Sequence, residues 1–483
     1  MRKKVFISKV LQMTFAMIGF NISGLLYNVF ISNTLGAETI GLFHLVGSVY
    51  SIGISLCVSG MSLTSTRLLS DMPRQKGLMC SESILLKCLA ISLVTSLAAT
   101  FLLYGFSDLI ATSILGRSEA SRYLKTLSLC LVAVSVSSVL GGYFTAFGKV
   151  GAICTGRLFS EATVWGATFL FLKTVKNGDE CMAIVRATML SAFAQCLCDL
   201  FFWRASERGQ MKQKANLSYG QVVRLCAPLA LGSYLRTGLS SAENLLIPKR
   251  LSRLSPNALS EYGVLKGMTM PVLFFPSVLT GAFISLLVPE IARRFSQKHK
   301  NSVEYVSKLS LWHIIKFGFC VSAIFFIWSS EISEWIFNRS DAGDYLHLLS
   351  LLPLFMYVDS VTDAVLKGAN EQVFSLKVNT IDAIARVFLV FFCVPVFGIR
   401  AYVAILYVSE IFNLTLSFMR LKKITALRFS FCRAAGSALF SVGCAFLIIC
   451  FLKPQSLTLQ ILTFIWVYIG ISELSQAFLN KKS

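Results

Sequence analysis

Charge is what this 483-residue chain has least of. Asp, Glu, Lys and Arg make up 14% of it, against about a quarter in an ordinary soluble protein. That scarcity excludes a soluble domain of this length. With 55% hydrophobic residues and a mean hydropathy of +0.69, the composition is that of an integral membrane protein. Acidic residues are scarcer still, 24 against 45 Lys and Arg, which leaves a formal net charge of +21. Nucleic acid is not the partner this implies. The basic residues are scattered through short segments between apolar runs, as the positive-inside bias requires.

Catalytic and metal-binding patterns are missing too. There are four histidines, and the isolated His44 and His313 read as packing residues. The fourteen cysteines include no C-x-x-C, and most sit in apolar runs, where a thiol behaves as a small hydrophobe. No glycine-rich phosphate loop, Ser/His/Asp set or paired-carboxylate site is visible. The expectation is a protein that is not an enzyme and that carries no cofactor or metal. The start, Met1-Arg2-Lys3-Lys4 before an apolar run, has the flavour of a signal peptide but no small-residue cleavage site. It reads as an uncleaved first helix.

What is present is apolar sequence in span-sized pieces. Fourteen stretches appear, at 6–31, 38–62, 84–106, 123–147, 152–173, 181–203, 219–247, 258–289, 306–328, 345–366, 374–396, 401–420, 434–452 and 457–478. The expected fold class is an all-α polytopic membrane protein of about 14 transmembrane helices. With the N-terminus inside, the loop cations divide 25 inner to 10 outer, among them Arg67, Arg204, Arg293 and Arg420 inside and Arg117 and Arg339 outside. Both termini are therefore expected in the cytoplasm and the chain in the plasma membrane.

Sparse internal repetition adds an organisation. Asn28, Ile31 and Leu35 recur as Asn244, Ile247 and Leu251, and the run 146–172 resembles 369–395. A duplication of six helices follows. The N-lobe would be 1–203 (helices 1–6), a basic cytoplasmic linker 204–218, the C-lobe 219–422 (helices 7–12), and 423–483 two extra helices. Prolines favour the second lobe, with Pro73 alone before Pro228.

The stretch from Arg236 to Pro289 departs furthest from an ordinary span. Arg236, Glu243, Glu261 and Lys266 lie in or beside apolar runs, where an ionisable group costs about 2.5–3.5 kcal/mol on insertion scales. Pro271 and Pro276 invite a kink in the eighth helix. Arg236 and Lys266 are the candidate cations for an anionic group such as a phosphate; the rival reading pairs Arg236 with Glu243 or Glu261. Glu243 and Asn244, with Asn21, Tyr27 and Asn28 of the first helix, complete the candidate substrate-binding set. Arg157 and Glu161, like Asp382 and Arg386, are four apart on one helix and read as self-neutralising pairs. Asp359, Asp363 and Lys367 share a stripe. Asp363 can pair with Lys367, while Asp359 lies two turns deeper and is the candidate for a coupling proton or sodium ion, with Asp363 beside it.

Two runs carry a resemblance. SAENLLIPKRL with SEYGVLKGMTMPVLFFPSVLTGAFISLLVPEIAR, and ISNTLGAETIGLFHLVGSVYSI at 31–52, resemble the stage V sporulation protein B group. That group belongs to the flippase superfamily that also holds the MurJ lipid II flippases, polysaccharide translocases and MATE exporters. The resemblance covers about residues 5–430. It implies two six-helix lobes around a central cavity and transport of a lipid-linked saccharide between leaflets by alternating access. MurJ-like members carry arginines on either side of a helix-1 glycine matched here by Gly24. This chain has Asn21 and Tyr27 at those places, so Arg236 and Lys266 are the cations left for the substrate.

The leading expectation is thus a plasma-membrane flippase for a polyprenyl-diphosphate-linked saccharide, either a peptidoglycan precursor for the cell wall or a polysaccharide repeat unit. Its partners would be that lipid-linked saccharide, membrane lipids and a proton or sodium ion, with no nucleic acid. The alternative is a MATE-like ion-coupled multidrug exporter, which requires a deep acidic residue such as Asp359. A third reading, a non-transporting scaffold for cell-wall enzymes, requires that cavity charges be dispensable.

Overall fold

The computed structural model describes the backbone of residues 2–70, 74–174, 179–207, 218–297, 300–425, 427, 429–452 and 455–482. Side chains are described for 15–70, 82–174, 179–206, 218–297, 301–425, 427, 429–452 and 455–475. All regular structure among these residues is helical. Each of the fourteen apolar stretches falls on helix. Among the described residues, nine helices are long and apolar enough to cross a membrane, and up to eleven if each of two bent pairs counts as one span. By contact the chain forms two compact units, 1–249 with 258–263, and 250–257 with 264–483. Positions 208–217, most of the expected linker, lie outside the described residues.

The first unit opens with α1 (Arg2–Val58), whose 57 residues would run about 86 Å if straight. Gly36 prevents that. Its φ of 73° is open to a residue without Cβ, and the chain turns there between the first two apolar stretches. Next come α2 (Met61–Ser70), α3 (Arg74–Gly105), the short α4 (Ser107–Leu109) with a π-turn at Ile110–Ile114, and α5 (Ala120–Ser128). The unit continues through α6 (Cys130–Ala146), α7 (Val150–Thr174), α8 (Glu180–Glu207), α9 (Tyr219–Leu251) and α10 (Ala258–Gly263). Helices α7 and α9 are not among the nine apolar spans; Arg157 and Glu161 interrupt the first, Arg224, Arg236 and Glu243 the second. One core gathers Val46, Tyr123, Leu124, Leu131 and Val185. Another gathers Ile84, Leu85, Leu140, Tyr143 and Val222.

In the second unit a π-helical turn at Val264–Thr269 leads into α11 (Met270–Phe274), which starts on Pro271, and then α12 (Ser277–Ser296), which follows Pro276. The span from Ala258 to Ser296 is bent by 50°, as its prolines lead one to expect. Then come α13 (Lys300–Phe337), α14 (Asp341–Leu348), α15 (Leu352–Gly368), α16 (Gln372–Phe397), α17 (Ile399–Thr425), α18 (Phe431–Leu452) and α19 (Leu457–Lys482). Buried Lys316 of α13 donates to the Ser472 carbonyl of α19 at 2.7 Å, and Tyr468 Oη donates back to the Lys316 carbonyl at 2.8 Å. These bonds pin the last helix to the unit.

One local device occurs in both units. Gly148 after α6 and Asn370 after α15 are 222 positions apart, and both have a φ of 65°. Around Gly148 the amides of Phe147, Gly148 and Lys149 reach back to Tyr143, Thr145 and Phe144. Around Asn370 the amides of Ala369, Asn370 and Glu371 reach Val365, Lys367 and Leu366, the same pattern shifted by 222. It is the left-handed helix stop in which orphan carbonyls are satisfied by the turn. Gly116 and Asn338, also 222 apart, share the positive φ. The sparse identities aligned 146–172 with 369–395, an offset one residue larger than the backbone gives. A left-handed position tolerates glycine and asparagine, so the backbone sets the register more sharply than side-chain identity does.

Candidate substrate and ion sites

In the first unit, α1 and α7 meet through a polar and aromatic stripe. Tyr27 Oη and Thr168 Oγ1 are hydrogen-bonded at 2.7 Å, and the Tyr27 ring stands edge-on to Trp165 at 5.2 Å. Ser23 Oγ donates to Glu161 Oε2 at 3.1 Å and accepts from Trp165 Nε1 at 3.2 Å. The expected Arg157–Glu161 pair is therefore not formed. Glu161 turns to α1, and the Arg157 guanidinium lies 5.5 Å from the centre of the Phe20 ring. Tertiary donors at Ser23 outcompete the helix's own cation, because holding two long side chains together at an exposed site returns little energy. Asn21 is exposed and donates to the Met17 carbonyl of its own turn at 2.8 Å, and Asn28 Oδ1 accepts from Ser32.

Helix α9 carries three more of the candidate residues. Arg236 is exposed and forms no ion pair or hydrogen bond among the described residues, so the pairing with Glu243 or Glu261 is absent. Glu243 is interior, 4% exposed and near Tyr262. Asn244, one residue on, is half-buried.

In the second unit, Lys266 lies in the π-helical turn and donates to Tyr402 Oη at 2.7 Å, 5.0 Å from the centre of the ring. A small cavity of about 220 Å³ lined by Leu279, Thr280, Phe283, His313, Ile314 and Phe317 is apolar and holds no counter-charge for a phosphate. Asp363 Oδ2 pairs with Lys367 Nζ at 2.6 Å, as their spacing leads one to expect. Asp359 has a buried Oδ1 without a hydrogen-bond partner. Asp382 pairs with Arg386 at 3.3 Å and accepts from Ser409 Oγ at 2.6 Å.

Sequence reasoning missed Glu410. It sits one residue past Ser409 on α17, close to Asp359, Asp382 and Arg386. Asp359, Asp382 and Glu410, from α15, α16 and α17, thus form one acidic group, with Arg386 beside Asp382 and Glu410. Glu410 lies in an apolar run with no charged neighbour at helical spacing, so what singles it out is tertiary. Among the described residues, no group of three or more His, Cys, Asp and Glu has metal-binding geometry.

With these arrangements in view, the comparisons with known proteins define the class. A family described as "Polysaccharide biosynthesis protein" matches residues 3–293. This chain belongs to that family. Stage V sporulation protein B from Bacillus subtilis (strain 168) is 22% identical over 409 residues, 81% of this chain and 78% of the relative. Lipid II flippase MurJ from the same strain is 22% identical over 425 residues, 79% of this chain and 77% of the relative. A solved lipid II flippase MurJ in an inward closed conformation matches with a TM-score of 0.75 at 13% identity, over 98% of this chain and 99% of that one. An inward-facing multidrug resistance MATE family transporter of the MOP superfamily matches at 0.70 and 14% identity, over 86% and 99%. The chain is a multi-pass membrane protein with the fold of MurJ and MATE transporters.

Proposed function

We propose that this protein is a flippase that moves a polyprenyl-diphosphate-linked saccharide, a peptidoglycan precursor or polysaccharide repeat unit, across the plasma membrane by alternating access. The family and the lipid II flippase among its relatives support the lipid-linked cargo. The single observation that carries the reading is Arg236. A guanidinium exposed in a largely apolar helix, with no partner among the described residues, is expensive, and a fork of N–H donors matches a diphosphate oxygen by oxygen. Lys266, tethered to Tyr402, adds positive charge, while Asn21, Tyr27, Asn28 and Asn244 offer neutral hydrogen bonds to the headgroup; Glu243, buried, fixes α9. Both termini lie in the cytoplasm in this reading, and fourteen helices span the membrane in two six-helix lobes plus α18 and α19.

The acidic group of the second unit favours a coupling ion. A proton suits it better than sodium, because a proton needs one carboxylate and a metal ion needs several convergent oxygens. Asp359 is the carrier in this reading, with Asp363 committed to Lys367. The same group favours the second reading, a MATE-like exporter of amphiphilic cations, since acidic linings attract cations.

Transport by the purified protein in liposomes carrying a polyprenyl-diphosphate saccharide tests the proposal. Arg236→Ala is expected to reduce flipping at least tenfold, the effect of losing about 1.4 kcal/mol of binding, and Arg236→Lys to keep part of it. Unchanged flipping by Arg236→Ala removes Arg236 from the mechanism. Export of cationic dyes with no lipid flipping selects the exporter.

A further inference from the structure

The first unit contains a buried carboxylate that the transport reading does not use. Asp199 lies on α8, is 4% exposed, and forms no ion pair among the described residues. Three elements surround it. From α6 the facing polar group is the Ser137 hydroxyl, whose oxygen is itself buried without a hydrogen-bond partner. From α7 comes Gly156, where a Cβ would stand 2.5 Å from Asp199 Oδ1; the missing side chain makes the notch that receives the carboxyl. On α8 itself the neighbouring titratable groups are the thiols of Cys196 and Cys198. Among the described residues, no cation faces the site.

A second observation places it in the repeat. Ser137 and Asp359 are 222 positions apart, the offset shared by the helix-stop residues Gly148 and Asn370. In the second unit the acid is Asp359 on α15, and the hydroxyl facing it is Ser417 on α17. In the first unit the hydroxyl is Ser137 on α6 and the acid is Asp199 on α8. Each unit therefore sets one carboxyl against one hydroxyl between corresponding helices, with the two roles exchanged.

An isolated carboxylate in a dry interior costs several kcal/mol or more, and such a group is neutralised when no countercharge is at hand. We propose that Asp199 is a proton-binding site of the first unit, which carries its proton in this conformation and gives it up when α8 moves away from α6 and α7. In the bound form the carboxyl O–H points to the facing Ser137 Oγ. On release the O–H bond breaks, the proton passes to water admitted by the movement, and the Ser137 hydroxyl turns to donate to the carboxylate left behind. Gly156 gives the carboxyl room to turn between these two arrangements. The binding site stands on the first unit's geometry alone; its use in coupling rests on the transporter reading.

Infrared difference spectroscopy of the full-length protein in lipid, titrated with acid and base, tests both. The expected result is a carboxylic-acid carbonyl band that Asp199→Asn removes and Asp359→Asn leaves in place. Ser137→Ala should shift that band without abolishing it, and Gly156→Ala, which crowds the carboxyl, should shift it too. A spectrum that Asp199→Asn does not change overturns the site. Should that variant fail to fold, a band insensitive to both Ser137→Ala and Gly156→Ala overturns it equally. If the band behaves as expected but lipid flipping driven by a pH gradient is unaltered in Asp199→Asn, the coupling role fails while the flippase reading stands. Loss of flipping without any such band makes Asp199 structural and overturns the proposal.

Discussion

Helices α7 and α16 open after the same turn, one in each unit, and each carries an acid and a base four residues apart. Their outcomes differ. In α16 the pair closes, with Arg386 at 3.3 Å from Asp382 and Ser409 supporting the carboxylate. In α7 it stays open, with Glu161 bonded to Ser23 and Arg157 over Phe20. Spacing decides which groups can reach each other, and the neighbouring helix decides which of them do. Asp382 is nearly covered, so a charge there needs a countercharge; Glu161 is half-buried and is satisfied by a hydroxyl.

The contrast yields a graded set of outcomes. Asp382→Asn should cost most, on the order of 1–3 kcal/mol, because it removes the charged partner 3.3 Å from the half-buried Arg386 guanidinium. Thermal unfolding in detergent measures this, and the double variant with Arg386→Gln should recover part of the loss. Glu161→Gln should cost about 1 kcal/mol, the difference between a charged and a neutral acceptor for Ser23. A double-mutant cycle with Ser23→Ala should give that coupling, whereas a cycle with Arg157→Ala should give none. If Arg157 and Glu161 couple as strongly as Asp382 and Arg386, the contrast disappears.

Next in size is the shared turn. Gly148→Ala puts a Cβ at a φ of 65° and should lose about 1 kcal/mol, while Asn370→Gly should change stability by a few tenths. The smallest effect is at the loop between α3 and α5. There Lys125 and the Ser121 hydroxyl bond the exposed Asp108 and hold its carboxyl below the usual carboxylate range. A lowered carboxylate stabilises the fold above its unfolded value and loses that contribution as pH falls through the folded one. The clasp should therefore weaken on acidification. Asp108→Asn should remove this acid-dependent part of hydrogen exchange at the loop and leave neutral pH almost unchanged.

Much of the fold was legible because a bilayer demands long apolar runs, and fourteen of them stood out. Pro271 and Pro276 marked one bend, since each carries its backbone consequence in its covalent structure; the turn at Gly36 emerged only from its φ of 73°. The sites were less legible. Lys266 read as a free cation and is tied to Tyr402, 136 positions away, a contact no local spacing encodes. Glu410 and Asp199 carry no local signal in the sequence, and their meaning comes from Asp382, Arg386, Ser137 and Gly156 on other helices. Arg236 was visible because a charge in a greasy helix is conspicuous whatever surrounds it.

The most direct test of the account is the leaflet distribution of polyprenyl-linked saccharides in cells depleted of this protein. The account predicts accumulation on the cytoplasmic leaflet, relieved by the wild-type chain and not by Arg236→Ala. An unchanged distribution on depletion would contradict it.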